Sequence, residues 1–367
     1  MAVPLAKKRL PLRTLARGPA QPDRVLYHGL WFKGHNNPRY AELLPRLERL
    51  DPVVFLCSAR RAPRALQYRT LRAVRPIRHA VLLRAASRRY RYLLTSENEQ
   101  IAYFRGRIVS DVDDPVFTPR EVDLLNRPSV AAYVVTAASA AHRFESLGVS
   151  KPWHVVPQGV ALQSLTDGAR AEIAQRHRRE EELVVGYMAA FLRSRNDVGG
   201  DNALYNVDHL LELWPEIADR IPEARLWLLG EPSGRVRDLV SGRDDVLLLG
   251  RVPKEHVLAY AANFDVALYP RSEDQGIRAA KVAEYMGAGA PIVSYDYEVT
   301  RDVAEARAGL LVSSPREFVD AVVSLAEDRA RRSEFAAASA AAGAKLDWDV
   351  LARRYAEEIL DRYLPPL

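Results

Sequence analysis

The segment Asp265-Val-Ala-Leu-Tyr-Pro-Arg-Ser-Glu-Asp-Gln-Gly276, Ile277-Arg-Ala-Ala-Lys281-Val-Ala-Glu284-Tyr-Met-Gly-Ala-Gly289, Ala290, Pro291-Ile-Val-Ser-Tyr-Asp296 reads as strand, loop, helix and strand. The first apolar run, Asp265–Pro270, opens into a polar loop. The helix that follows stops at glycines, and Pro291–Tyr295 is a second apolar run. A loop that leaves a strand and feeds a helix N-terminus offers free N–H groups and a positive dipole end to an anion. Gly276 lets the backbone come close to such a group. Lys281 and Glu284 are three apart and share a helix face. A cation there can neutralise a diphosphate, and a carboxylate can accept from two ribose hydroxyls. The plainer alternative is a surface ion pair between the two.

The same alternation extends outward. In the C-terminal half, apolar runs lie at Leu183–Phe191, Arg225–Gly230, Asp245–Gly250 and Leu310–Ser313. Helical patterns fill Val207–Ile217, Gly234–Val240, Lys254–Asn263, Ile277–Gly287 and Thr300–Ala306. In the N-terminal half, the runs are Arg24–Phe32, Pro52–Ser58, Tyr92–Ser96, Arg107–Asp111, Ala131–Ala137 and Trp153–Pro157. Between them come helices at Pro38–Leu50, Arg64–Arg89, Pro119–Asn126 and Ser139–Leu147. Continuous apolar strands alternating with helices predict parallel sheets covered on both faces. The rhythm occurs twice and breaks in Ala161–Glu182, where polar and charged residues dominate. The expected fold is α/β: two doubly wound, Rossmann-like parallel-sheet domains facing a cleft, with ligands beyond the carboxyl ends of the strands. The expected division is a flexible tail over 1–22, a first domain over 23–165, a second over 180–345, and a C-terminal helix over 346–367 packing back towards the first.

Composition sets limits on function. The chain has 367 residues, enough for two domains with cores of their own. Its single cysteine, Cys57, allows no disulfide framework and points to a reducing, cytoplasmic setting. No apolar run approaches the roughly 20 residues of a membrane-spanning helix. The net charge of +6 is unevenly spread, since residues 1–110 hold 23 Lys and Arg against 6 Asp and Glu. Arg60 to Arg91 contains eleven arginines and no acid, with Leu66, Leu71, Val74, Val81 and Leu82 at helical spacing. A basic amphipathic helix of this kind suits an anionic membrane surface; an ordinary solvated face is the plainer reading.

The decisive segment resembles the donor-site signature of GT-B glycosyltransferases, especially family-4-like (group 1) enzymes. The neighbouring pieces agree in order. Leu183-Val-Val-Gly186-Tyr-Met is similar to the first strand of their donor domain, and Asn206-Val-Asp-His-Leu-Leu-Glu to the next helix. Leu228-Leu-Gly230-Glu-Pro is similar to the strand-to-glycine turn. Asp245-Val-Leu-Leu-Leu-Gly250-Arg-Val-Pro253 resembles the nucleobase loop, and Trp153-His-Val-Val-Pro157-Gln-Gly159-Val160 the strand ending the acceptor domain. The resemblance implies transfer of a sugar from a UDP- or GDP-sugar to a hydroxyl acceptor, lipid-linked, polysaccharide or glycoconjugate, at the inner face of a membrane. It implies donor contacts from Gly29, Gly34, Arg193, Arg195, Gly230, Arg251, Val252, Glu273, Gln275, Gly276, Lys281 and Glu284. The family pattern has two glutamates eight apart, but Gly276 stands eight before Glu284. The Lys-x-x-Glu-Tyr form is similar to xanthan-type glucuronosyltransferases, which invert the anomeric centre and set a lysine of this helix on the diphosphate. A retaining mechanism therefore does not follow from the sequence.

Direct inverting displacement needs a base for the acceptor hydroxyl. Ser110-Asp111-Val-Asp113-Asp114-Pro115 follows an apolar run and offers Asp113 and Asp114. Their other reading is a cap on the helix near Thr118, or a turn before Pro115. Thr95-Ser-Glu97-Asn-Glu99 reads first as a helix start. No His-x-x-His pattern occurs, and the two Asp-x-Asp pairs, Asp111/Asp113 and Asp347/Asp349, are weak metal signals. Neither a cofactor nor a metal is expected: Lys281, arginines and the helix dipole would balance the leaving-group charge. Two other readings remain: a nucleotide-sugar epimerase of the same fold, which needs no acceptor, and a basic nucleic-acid-binding protein using the arginine block. The latter leaves the second half without a use and has no supporting motif, so no nucleic-acid partner is expected.

Overall fold

The computed structural model describes residues 19–29, 38–53, 80–197, 207–271 and 280–366. The chain forms two compact units: residues 1–157 with 349–367, and residues 158–348. Each contains one six-stranded sheet whose strand pairs are all parallel. This is the α/β architecture of two doubly wound sheets.

The first unit holds β1 (Val25–His28), β2 (Leu50–Val53), β3 (Tyr92–Thr95), β4 (Arg107–Val112), β5 (Val130–Val135) and β6 (Trp153–Val155), in the order β2-β1-β3-β4-β5-β6. The strands read as unbroken apolar runs because both of their faces are covered. All four residues of β1 and of β3 are buried. The helix Pro119–Leu125 starts at Thr118, whose hydroxyl accepts from Glu121 N, with proline in the first turn. Thr118, and not Asp113 or Asp114, is therefore the cap. Glu121 reaches back to accept from Val116 N at 3.1 Å and Phe117 N at 2.7 Å. This fixes the turn after Asp114, in which Phe117 has a φ of 55°.

Arg39 and Asp111 lie together at the centre of this unit, both essentially inaccessible to solvent. Two parallel bonds join them, Nε to Oδ1 and Nη2 to Oδ2, each 3.0 Å. Arg39 also donates to Val156 O and Pro157 O, and the Tyr40 hydroxyl donates to Asp111 Oδ1 at 3.1 Å. Burial alone would lower the Arg39 guanidinium; Asp111, with Tyr40 and Asp113, outweighs it and raises the group above its ordinary value. Both charges are thus satisfied, and neither is spare for chemistry. The C-terminal residues belong to this unit from Asp349 onward: Arg49 bonds Asp361 and Leu364 O, and His154 meets the Tyr363 hydroxyl at 3.0 Å.

The second unit holds β7 (Leu183–Leu192), β8 (Ala224–Pro232), β9 (Val246–Gly250), β10 (Val266–Tyr269), β11 (Ile292–Tyr295) and β12 (Gly309–Val312). Their order is β12-β11-β10-β7-β8-β9, so the winding reverses between β7 and β10. Each face has its own core. On one, Val185, Leu226 and Leu228 meet Trp214, Ile217, Phe318 and Val322. On the other, Val184, Trp227 and Leu229 meet Phe264, Tyr285 and Met286. Successive residues of β8 thus serve opposite cores, as the two-residue period of a strand requires.

The break expected in Ala161–Glu182 falls earlier, between Pro157 and Gln158. That stretch is part of the second unit and contains the helix Asp167–His177, capped by Thr166. Only Ile173 of this helix is buried, so hydrophobic periodicity had almost nothing to show. Charges just past the helix find partners. Arg178 pairs with Asp265 at 2.5 Å, and Glu182 accepts from the Trp227 indole at 2.8 Å. Asp265 also accepts from Val184 N. It is a structural carboxylate at the amino end of β10.

Asp111→Asn would leave Arg39 charged and buried without the carboxylate that balances it. Loss of one partner from such a pair costs about 3–5 kcal/mol, which should show as a clear fall in the urea midpoint. Glu99→Gln, in the exposed Arg120–Glu99 pair, should leave the midpoint almost unmoved. Equal midpoints for the two variants would contradict this role for Arg39–Asp111.

Candidate functional site

In an open doubly wound sheet, ligands bind beyond the carboxyl ends of the strands where the winding reverses. In the second unit this place lies at the ends of β7 and β10. Past β7 runs the loop Arg193–Asp197, and past β10 come Pro270 and Arg271. The helix Ala280–Gly287 then supplies Lys281, Glu284 and Tyr285.

Tyr285 ties the two strands together. Its buried hydroxyl donates to Leu268 O on β10 at 3.1 Å and accepts from Met188 N on β7 at 3.0 Å. Lys281 lies on the same helix, four residues earlier. Its ammonium donates to the Tyr187 hydroxyl at 3.0 Å and sits 4.3 Å from the Tyr187 ring centre and 5.8 Å from that of Tyr269. The Arg271 guanidinium lies 5.3 Å from the Tyr269 ring centre. Desolvation first, then Arg271, depresses the Lys281 ammonium to about 7 against the opposing effect of Glu284. Desolvation raises the Glu284 carboxyl above its ordinary value, more than Lys254 and Lys281 lower it. Among the described residues no hydrogen bond engages the Glu284 carboxylate, and Lys281 and Glu284 form no direct ion pair. Two cations crowded at a strand end, beside a carboxylate without a hydrogen bond, suit a bound anion that carries hydroxyls.

The loop after β7 is tightly held. Asp208, nearly buried, accepts from Ser194 Oγ at 3.0 Å, Arg195 N at 2.9 Å and Arg195 Nε at 3.0 Å. Arg195 also pairs with Glu212. The structure thus commits Arg195 to carboxylates of the following helix and leaves Arg193, stacked over the Phe191 ring at 5.0 Å, as the less committed arginine of the loop. Gly230, near the end of β8, has a φ of 146°, and a side chain there would meet Ala189 O at 2.2 Å. Glycine is required at that position for close strand approach. Beyond β9, Arg251 is exposed and Val252 packs on the core. Among the described residues no hydrogen bond engages the backbone amide of either.

The first unit reverses its winding between β1 and β3. There the Tyr27 hydroxyl meets Ser96 Oγ at 2.9 Å, and Gly29 lies so close that a side chain would stand 2.0 Å from Ser96 Oγ. Asp113, at the end of β4, is nearly buried, whereas Asp114 is exposed and desolvation still raises its carboxyl. Gly34, Glu273, Gln275, Gly276 and most of the block Arg60–Arg91 lie outside the described residues. Among the described residues, no group of acids, histidines or cysteines could hold a metal ion, and no helix is long and apolar enough to cross a membrane. Sequence reading missed Tyr187, Tyr269, Arg271 and Asp208. Tyr187 is separated from Lys281 by 94 positions, and no local pattern joins them.

Comparison with known proteins bears on this geometry. The fold is shared with HepE of Anabaena, solved with UDP: TM-score 0.69, 15% identity, covering 92% of this chain and 99% of HepE. It is shared with sucrose-phosphate synthase of Thermosynechococcus elongatus at TM-score 0.64 and 16% identity, covering 85% of this chain and 83% of the synthase. WaaG, a glycosyltransferase involved in lipopolysaccharide biosynthesis, matches at TM-score 0.63 and 13% identity, covering 91% of this chain and 99% of WaaG. No curated protein matches the chain in sequence. The architecture is that of the GT-B glycosyltransferases. Residues 198–328, within the second unit, match the family described as glycosyl transferases group 1.

The buried cation makes a testable demand on stability. With Lys281 depressed to about 7 from an ordinary 10.5, the folded chain holds fewer protons than the unfolded chain between those values. The contribution of this group to stability therefore rises with pH across that window and is least favourable near pH 7. Lys281→Met should raise the melting temperature at pH 7, and its advantage over the wild type should shrink as the pH approaches 10. An advantage that is absent, or constant with pH, would contradict a strained cation at this position.

Proposed function

We propose that the protein transfers a sugar from a nucleoside-diphosphate sugar, UDP-linked in the first instance and GDP-linked as the other option, to a hydroxyl acceptor. The observation that carries this reading is Lys281, a cation with no carboxylate in hydrogen-bonding contact among the described residues, at the β7/β10 reversal and within the stretch that matches the group 1 family. The fold neighbour HepE, solved with UDP and with UDP-glucose, supports UDP as the first nucleotide to test. In this reading Lys281, Arg193 and Arg271 neutralise the diphosphate. Glu284 accepts from the ribose hydroxyls, and the backbone amides of Arg251 and Val252 meet the base. Asp113 or Asp114 takes the proton of the acceptor hydroxyl as its oxygen bonds the anomeric carbon and the diphosphate leaves. Desolvation raises the Asp114 carboxyl above its ordinary value, towards the range a base uses. No divalent metal is needed, because protein cations balance the leaving group.

Calorimetry with UDP and GDP tests the donor site. Wild type should bind one of them at micromolar strength, about −8 kcal/mol. Glu284→Ala should bind at least tenfold more weakly. Transfer from the matching nucleotide sugar should survive EDTA. Wild-type affinity in Glu284→Ala, or turnover abolished by EDTA and restored by a divalent metal, would refute the respective assignment.

We further propose that the acceptor is lipid-linked, polysaccharide or glycoconjugate, and that the chain rests on an anionic membrane face through the block Arg60–Arg91. Supporting this, the described end of the block is helical over 80–86, with Arg84 and Arg88 exposed and Val81 65% exposed. The protein should float with phosphatidylglycerol vesicles at about 50 mM salt and be released at about 500 mM. Absence from the vesicle fraction at low salt would discard the membrane role.

A further inference from the structure

We propose that Tyr187 is a positioning residue for Lys281, holding its ammonium at the carboxyl end of β7 and β10 until a nucleoside diphosphate takes it over. The proposal rests on the reading of Lys281 as a diphosphate ligand.

A lysine side chain is a flexible stem bearing a compact charge. Left free at a strand end, it would sample many rotamers, and a ligand would have to order it at an entropic cost. Here it is not free. The Tyr187 hydroxyl accepts from Nζ at 3.0 Å, and the same ring offers its π-system at 4.3 Å. Tyr187 is itself immobile. It lies within β7, is only 3% exposed, and packs in the core with Val185 and Leu226. The partner is also neutral. Burial raises the Tyr187 phenol to about 12, so it stays protonated through the physiological range and does not compete as an anion. A carboxylate in its place would hold the lysine in an ion pair that a phosphate would have to break. A phenol gives direction at a smaller electrostatic cost when the ligand arrives.

Among the described residues, the charged and titratable groups around the ammonium come from three elements. Tyr187 faces it from β7, Tyr269 and Arg271 from β10 and the residues after it, and Glu284 from its own helix. Arg271 and burial oppose the charge, and Glu284 favours it. A diphosphate adds strong negative charge to this balance. Nucleotide binding near pH 8 should therefore draw a proton onto Lys281 from solvent.

The test is calorimetry of UDP, with GDP in parallel, on the full chain from pH 6.5 to 9 in two buffers of different ionisation enthalpy. The proteins are wild type, Tyr187→Phe, Lys281→Gln and the double variant. Phenylalanine keeps the ring and the packing, so the fold is retained; an unchanged far-ultraviolet spectrum checks this. Wild type should take up a proton on binding at pH 8, seen as a buffer-dependent heat, and Lys281→Gln should not. Tyr187→Phe should weaken binding about tenfold at pH 7, and its loss of affinity with rising pH should begin at lower pH than in wild type. In the double variant, Tyr187→Phe should add almost nothing to Lys281→Gln, because the hydroxyl acts only through the lysine. Wild-type affinity and pH profile in Tyr187→Phe beside a weakened Lys281→Gln would overturn the positioning role and leave the donor reading standing. Additive losses in the double variant would also overturn it, as a purely structural effect. Wild-type affinity in Lys281→Gln, or no nucleotide bound by the wild type, would remove the donor reading and this proposal together.

Discussion

The Tyr285 hydroxyl bridges Leu268 O of β10 and Met188 N of β7 at the place where the sheet changes direction. Strands on either side of a reversal send their crossover helices to opposite faces, so no helix closes over the gap. Open backbone there would be costly if dry. A phenol reaching in from the helix Ala280–Gly287 satisfies both strands and fixes that helix to the strand ends. Lys281 and Glu284 flank it on the same helix, one turn before and one residue before. Their positions are therefore set by a bond that has no chemistry of its own.

Two kinds of carboxylate stand out among the described residues. Asp111, Asp208, Asp245 and Asp265 each accept from named donors, and each fixes a loop, a strand end or a buried arginine. They add to order. Glu284 is desolvated, with no hydrogen bond among the described residues, and Lys281 is depressed beside it. These two detract from the stability of the empty protein, which is the usual mark of groups arranged for a ligand rather than for folding. Arg195 and Arg193 show how narrow the difference is. Two residues apart on one loop, the first is taken by Asp208 and Glu212 and the second stacks on Phe191.

The twelve described strands were legible because a parallel strand buried on both faces is a continuous apolar run, and turns bound each run. Among the described residues several ends fall where the runs do, and others shift by a few residues. The helix Asp167–His177 was illegible since it buries one residue, and Arg178, the residue that ends it, is held by Asp265 far along the chain. The site divides in the same way. Lys281 and Glu284 were readable from spacing on one helix, as was the glycine demanded at Gly230. That Asp111 is committed to Arg39, and Arg195 to Asp208, depends on partners 72 and 13 positions away. Tyr187 belongs to the same class: its strand was clear, its bond to Lys281 was not.

Lysine, not arginine, at position 281 fits this geometry. An arginine keeps its charge under almost any burial and offers a planar fork that one phenol cannot satisfy. Next to Arg271 it would set two permanent charges against each other. A lysine can give up its proton when the site is empty and regain it when negative charge arrives. The electrostatic strain of the empty site is thereby limited, and the cation appears when there is a diphosphate to balance. The same property makes the site sensitive to the one partner that orients the amine, and that partner is a buried tyrosine on the neighbouring strand.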